Sequence, residues 1–247
     1  MSKTSLILAV LGVLVLSLGA TVARADEGIL IVAGLGSPVL MPAAALTPAL
    51  GLTPAYSYLA VLQTGLALDV PFPKKLEGLR GNDLVVLADV PAAALSGLMG
   101  RRTLRQFVER GEGLLYFGGP LALGKGNVAG SAFEDALPVI TTGPWDLVKA
   151  ENPAVKVAAS SPLTAGLHWE QKPLIGYVQK VTVRPGAQVL LKCGDAPVLV
   201  TGTYGQGRVA VFCGTYLGDF AEGQVPFYEW SDYPKLLDRV INWLTQR

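Results

Sequence analysis

Short apolar runs alternate with amphipathic stretches through the first half of the chain. Gly28–Ala33 is a brief apolar run that ends in Gly34 and Gly36, the pattern of a buried strand. Tyr56–Gln63 reads as a helix, and Leu66–Val70 as a strand before Pro71 and Pro73. Asp83–Ala88, with the sequence DLVVLA, is the strongest central-strand pattern. Leu95–Arg110 has helical spacing, with Leu98, Leu104, Phe107 and Val108 expected inside and Arg101, Arg102, Arg105 and Glu109 outside. Gly111 and Gly113 end that helix, and Leu114–Phe117 follows as the next strand. Strands that alternate with helices predict a parallel sheet covered on its faces.

The pattern changes in the second half. Leu174–Val183, Val189–Cys193, Val198–Thr203 and Arg208–Phe212 are short strands separated by Pro-Gly, Gly-Asp and Gly-Gln-Gly turns. They predict antiparallel hairpins attached to the parallel sheet. A closing helix starts near Pro234, with Ser231 or Asp232 as its cap. Its apolar face is Leu236, Leu237, Val240, Ile241 and Leu244. The Pro/Ala-rich stretch Leu40–Pro54 reads as a loop lying over the sheet.

The first residues carry an address. Lys3 precedes the uncharged run Leu6–Ala20, and Ala23-Arg24-Ala25 offers small residues where a signal peptidase reads. Residues 1–25 thus read as a secretory signal peptide, and the working protein starts near Asp26, periplasmic or extracellular. The alternative is an uncleaved N-terminal anchor, although the run is shorter than the roughly 20 residues that span a bilayer. No later segment is long and apolar enough to cross a membrane, so no membrane span is expected after cleavage. A hydrophobic content of 51% argues for a packed globule, and a net charge of +1 gives no reason to expect nucleic acid as a partner.

Export permits disulfides, and Cys193 and Cys213 are available. In a meander of the last three strands, the middle strand separates them by about 9.6 Å. A disulfide needs Cα atoms within about 7 Å. Two reduced, buried thiols are expected instead.

Candidate chemistry is sparse. Gly119-Pro-Leu-Ala-Leu-Gly124-Lys125-Gly126 follows a strand and approaches the phosphate-loop pattern, but Gly126 has no hydroxyl for a magnesium ion. Asn127-Val-Ala-Gly130 is a poor helix start, so a strand-to-loop turn is the preferred meaning. His168 is the sole histidine and would have to serve as the base of any triad, yet neither cysteine sits at a sharp strand-to-helix turn. One histidine and scattered carboxylates make no zinc set, so no metal and no cofactor are expected. Asp219, Glu222, Glu229 and Asp232 read as a solvated acidic edge. The interleaved Tyr216, Phe220, Phe227, Tyr228 and Trp230 either form a binding rim or pack a loop onto the sheet.

Several segments in order carry a family resemblance. They are Phe72–Leu79, Asn82–Val90, Leu104–Gly119, Phe133–Val139, Pro162–Leu167, Tyr204–Phe212, Trp230–Leu237 and Asn242–Leu244. Together they resemble the glutamine amidotransferase-like proteins of the class I glutamine amidotransferase superfamily. The resemblance spans most of residues 26–247 and implies a single domain of that kind. It implies an α/β fold: a mostly parallel, flavodoxin-like sheet with helices on both faces and an antiparallel β extension in the C-terminal half. In active relatives a cysteine stands at the turn after the strand equivalent to Leu114–Phe117, and a His–Glu pair lies near the end of the chain. Here that turn is Phe117-Gly118-Gly119-Pro120, and no histidine follows His168.

These features predict a catalytically degenerate domain that binds a small ligand or an envelope protein. No catalytic residue is expected. Open α/β sheets bind ligands at the carboxyl ends of their strands. The candidate cleft is therefore Gly34, Gly36, Asp89, Gly118, Gly119, His168 and Tyr216. One alternative is a hydrolase, with carbohydrate as a candidate substrate, using Asp89, His168 or the acidic C-terminal loop. Another is a structural component of an envelope complex.

Overall fold

The computed structural model describes residues 28–34, 40 and 72–246. The expected signal segment, Gly36, the helix at Tyr56–Gln63, the strand at Leu66–Val70 and all of the 40–54 stretch except Leu40 lie outside the described residues. The strands are β1 (Ile29–Ala33), β2 (Leu84–Ala88), β3 (Gly113–Phe117), β4 (Val139–Thr141), β5 (Leu147–Lys149) and β6 (Val155–Val157). They continue as β7 (Tyr177–Gln179), β8 (Val181–Val183), β9 (Gln188–Cys193), β10 (Ala196–Tyr204) and β11 (Gly207–Phe212). The α-helices among the described residues are α1 (Gly97–Glu109) and α2 (Tyr233–Leu244). None of these helices is long and apolar enough to cross a membrane.

The main sheet runs β1-β2-β3-β11-β10-β9-β6. The first four strands are parallel, and the remainder form the antiparallel extension. This is the α/β architecture expected from the sequence. Two small ladders, β4 with β8 and β5 with β7, lie outside the main sheet.

Alternate residues of the parallel strands face two cores, as the period-2 pleat requires. Leu30, Val32, Val85, Leu87, Leu114 and Tyr116 pack with Leu104, Phe107 and Val108 of α1. Ile29, Ile31, Leu84, Val86, Leu115 and Phe117 pack on the other face with Leu236, Leu237, Val240, Ile241 and Leu244 of α2. β2 and β3 are buried along their whole length, which explains their continuous apolar sequences.

Three local expectations need correction. Leu98 is 49% exposed, because α1 begins only at Gly97 and its first turn overhangs the core. Leu174–Val183 is not one strand: β7 pairs with β5 and β8 pairs with β4, with the break at Lys180. Asp232 occupies the cap position of α2, but its side chain makes no capping bond there. The carboxylate accepts from His168 instead.

Cys193 and Cys213 are free and buried, at the ends of β9 and β11 with β10 between them. Both thiols should therefore resist a thiol reagent in the native protein and titrate fully after denaturation. A bridged pair would show no titration under either condition. The stacked rings of Phe117 and Phe212, 4.9 Å apart, join neighbouring strands beneath α2. Phe212→Ala should cost about 3–5 kcal/mol of stability, measured by urea denaturation.

Candidate functional site

Register places the carboxyl ends of the parallel strands in one row. Ala33 lies opposite Ala88, Ala88 opposite Phe117, and Phe117 opposite Phe212. The ladder then continues one residue further. Gly34 N–H donates to Ala88 O at 2.7 Å, Asp89 N–H to Phe117 O at 3.2 Å, and Gly118 N–H to Phe212 O at 2.7 Å. Three predicted cleft residues, Gly34, Asp89 and Gly118, are thus neighbours along this edge.

The glycines are small for a visible reason. A Cβ on Gly34 would run into the carbonyl oxygens of Ala88 and Asp89. A Cβ on Gly118 would run into the amide oxygen of Gln179 and lie 2.8 Å from Phe212 O. A Cβ on Gly119 would strike the Asp89 carboxylate.

Asp89 is fully buried and holds a left-handed backbone, with φ 55°. Such backbone in a residue other than glycine costs on the order of 1–3 kcal/mol and has to be held by its surroundings. Here Oδ1 accepts from Leu121 N–H at 2.8 Å, and Oδ2 accepts from the Tyr216 hydroxyl at 3.1 Å. Burial raises the Tyr216 pKa, and the neighbouring Asp89 charge and hydrogen bond add to it. The phenol therefore remains a proton donor to Asp89 across the physiological range.

Sequence reasoning missed the residue that ties this row together. Gln179 ends β7 and is fully buried. Its Oε1 accepts from Gly119 N–H at 3.1 Å, and its Nε2 donates to Ala122 O at 2.8 Å and to Asp146 Oδ2 at 3.1 Å. Asp146, also missed, accepts from Gly124 N–H at 2.9 Å and Lys125 N–H at 3.2 Å. Tyr116 adds a third support: its hydroxyl donates to Val90 O and accepts from Leu123 N–H. The loop after β3 is therefore held by side chains from the residue after β2, from β3, from β7 and from the segment before β5.

His168 takes a different place. Its side chain is 63% exposed, and Nδ1 lies 2.9 Å from Asp232 Oδ2. The same carboxylate oxygen accepts from His168 N–H at 2.6 Å. The structure thus brings together Gly34, Asp89, Gly118, Gly119 and Tyr216, whereas His168 joins the start of α2. Asp219, Glu222 and Glu229 are exposed, and no group of three or more His, Cys, Asp or Glu side chains among the described residues is placed to hold a metal. Phe227, Tyr228 and Trp230 are buried in the α2 core, so most of the aromatic run packs the loop.

Comparisons with known proteins agree with this architecture. A family profile described as "Putative glutamine amidotransferase" matches residues 61–246. The chain belongs to that glutamine amidotransferase-like family. The cytoplasmic protein STM3548 from Salmonella typhimurium superposes with a TM-score of 0.71 at 20% identity, covering 88% of this chain and 98% of that one. The cytoplasmic protein STM1381 from Salmonella typhimurium LT2 gives 0.68 at 21% identity, covering 87% and 98%. A β-galactosidase from Rahnella sp. R3 gives 0.52 at 13% identity, covering 89% of this chain but 32% of that one. At these identities the likeness is one of fold alone. No curated protein matches the chain.

Two carboxylates should affect stability with opposite sign. Hydrogen bonds from His168, its backbone N–H first, hold Asp232 below its ordinary value of 3.8. Its contribution is present above that value and is lost as pH falls through the lower folded value. Burial raises Asp146 above 3.8, against the opposing pull of the Gly124 and Lys125 N–H groups. Ionising it in the fold therefore costs stability as pH rises through 3.8 to its folded value. Side-chain carboxyl NMR titration should place Asp232 below and Asp146 above an ordinary aspartate. Reversal of that order would contradict the network.

Proposed function

We propose that this chain is an exported, catalytically degenerate amidotransferase-like domain that binds a small ligand or partner protein in the bacterial envelope. The observation that carries this reading is the occupation of position 118. In the superfamily resemblance, this turn holds the nucleophilic cysteine. Here it is glycine, and the space beside its Cα is filled by the amide of Gln179. Gly118 also lacks a left-handed backbone; along the row that conformation belongs to Asp89. Acyl transfer needs a nucleophile and a base to activate it. Burial pushes the Cys193 thiol up to about 11 and raises Cys213 as well, which keeps both protonated and unreactive. His168, the sole histidine, is engaged with Asp232 on the surface.

Export rests on the residue pattern of 1–25. Two structural neighbours are described as cytoplasmic proteins, so this leader would set the chain apart from them. Binding would approach the buried row Gly34–Asp89–Gly118–Gly119 from its margin, where Tyr216 is half-buried. The hydrolase alternative keeps one supporting observation, the His168–Asp232 pair, whose Nδ1 contact leaves Nε2 as the remaining ring nitrogen for proton transfer.

The purified protein should release no ammonia from glutamine above the buffer rate. Gly118→Cys should restore none and should lower stability by about 1–3 kcal/mol, because the thiol must displace Gln179. Glutamine hydrolysis that disappears on mutating Cys193 or Cys213 would overturn the degenerate reading. Loss of a hydrolytic activity in a folded His168→Ala variant would favour the alternative.

A further inference from the structure

The loop Gly119–Gly126 contains a feature that glutamine chemistry does not use. The consecutive N–H groups of Gly124 and Lys125 converge on one carboxylate, that of Asp146, at 2.9 and 3.2 Å. Gln179 Nε2 supplies another donor to the same group at 3.1 Å. Successive backbone N–H groups that point into one concavity form an anion nest. The local backbone is built for it. Leu123, just before the pair, is left-handed at φ 48°, a costly conformation for a bulky residue. Gly124 must lack a side chain, since a Cβ would strike Gly143 O and lie 2.9 Å from the Asp146 carboxyl group.

The occupant of the nest comes from a neighbouring arm, residues 142–146. Gly143 is left-handed at φ 111°, and a Cβ there would meet open space. Trp145 is 84% exposed, with the Lys125 ammonium 5.1 Å from its ring centre. Asp146 itself is buried. A carboxylate has thus been drawn out of water onto these donors, and the residue before it is a solvent-facing indole beneath the Lys125 ammonium.

We infer that the Gly124–Lys125 nest is an oxyanion site that Asp146 occupies in the ligand-free protein, and that a small ligand bearing a carboxylate or phosphate displaces it. Displacement exchanges one anion for another on the same donors. It returns Asp146 to water, which offsets part of the desolvation that its buried position imposes. Lys125 adds a positive charge beside the incoming anion. Gly126 brings no hydroxyl for a metal-bound polyphosphate, so the site suits a single oxyanion and not a nucleotide. Gln179 touches both Asp146 and Gly119 N–H, so occupancy here is one bond away from the row of the proposed cleft.

The test is a titration of backbone amides by NMR in the full chain lacking residues 1–25, with inorganic phosphate in one arm and acetate in the other, at constant ionic strength. Asp146→Ala should give saturable shifts at the Gly124 and Lys125 amides, with at least tenfold tighter binding than the unsubstituted protein. Adding Lys125→Ala to it should weaken that binding several-fold. Asp146→Asn keeps an acceptor oxygen without the charge; it should bind with intermediate strength and serves the same purpose if the alanine variant does not fold. Saturation by either anion supports the site, and the tighter of the two identifies the ligand group. A folded variant whose Gly124 and Lys125 amides saturate with neither anion overturns it. Ammonia release by the unsubstituted protein does not involve this nest, so failure here leaves the degenerate reading standing, and the converse holds.

Discussion

The chain that leaves β3 enters the protein interior, and its backbone donors have to be satisfied there without relying on water. An unpaired buried N–H costs about 1–3 kcal/mol, so several in succession would exceed the margin of a typical domain. The solution is four polar side chains from separate parts of the sequence. Asp89 accepts from Leu121, Gln179 from Gly119, Tyr116 from Leu123, and Asp146 from Gly124 and Lys125. Each acceptor is itself buried, so each needs partners of its own. Gln179 meets this by donating to Ala122 O and Asp146, and Asp89 receives the Tyr216 hydroxyl. Glycines at 118, 119 and 124 follow from the same constraint, because any side chain there would occupy the space of an acceptor.

This arrangement bears on chemistry at position 118. A nucleophile there would need room beside the strand end and a base within reach. The Gln179 amide takes the room, and that amide cannot withdraw without leaving Gly119 N–H unsatisfied. Installing a thiol therefore opposes the hydrogen bonding that fixes the loop. Inactivity at this turn, in the proposed reading, is more than the loss of one sulfur atom: the surrounding network has closed over the place where it would act.

Much of the fold was legible because burial on both faces leaves a strong signal. DLVVLA has no polar interruption after Asp83, and β2 is buried throughout. The apolar face expected for the closing helix is the face that packs in α2. Part of the site was legible too, since strand ends rich in glycine mark close backbone approach. Gln179 and Asp146 were not. Gln179 ends one three-residue strand and Asp146 precedes another, and a polar residue at such a position looks like a solvated loop. The alternation of Tyr177-Val-Gln-Lys-Val-Thr-Val183 also suits one continuous strand. The break at Lys180 comes from tertiary pairing: its N–H donates to Asp146 O, and the residues on either side turn to different partners. Leu98 misled for a related reason, because helical spacing predicts a face but not where the first turn begins.

The antiparallel half is what turns a plain strand-end row into a polar network. Four parallel strands alone would present Gly34, Asp89 and Gly118 as an open edge. β7 brings Gln179 over that edge, and the bridge from Val178 to Gly214 fixes its approach. Gln179 N–H donates to Cys213 O at 2.8 Å, so the amide that fills position 118 is anchored to the strand next to β3. The return of β11 beside β3 then places Tyr216 within reach of Asp89. The pairing that inserts β7 here also aligns Leu147 with Gln179, which brings Asp146 to the loop. One register thus delivers both the amide that fills the space beside Gly118 and the carboxylate that accepts from Gly124 and Lys125. A shift of β7 by one residue would turn Gln179 to the opposite face and undo both contacts at once.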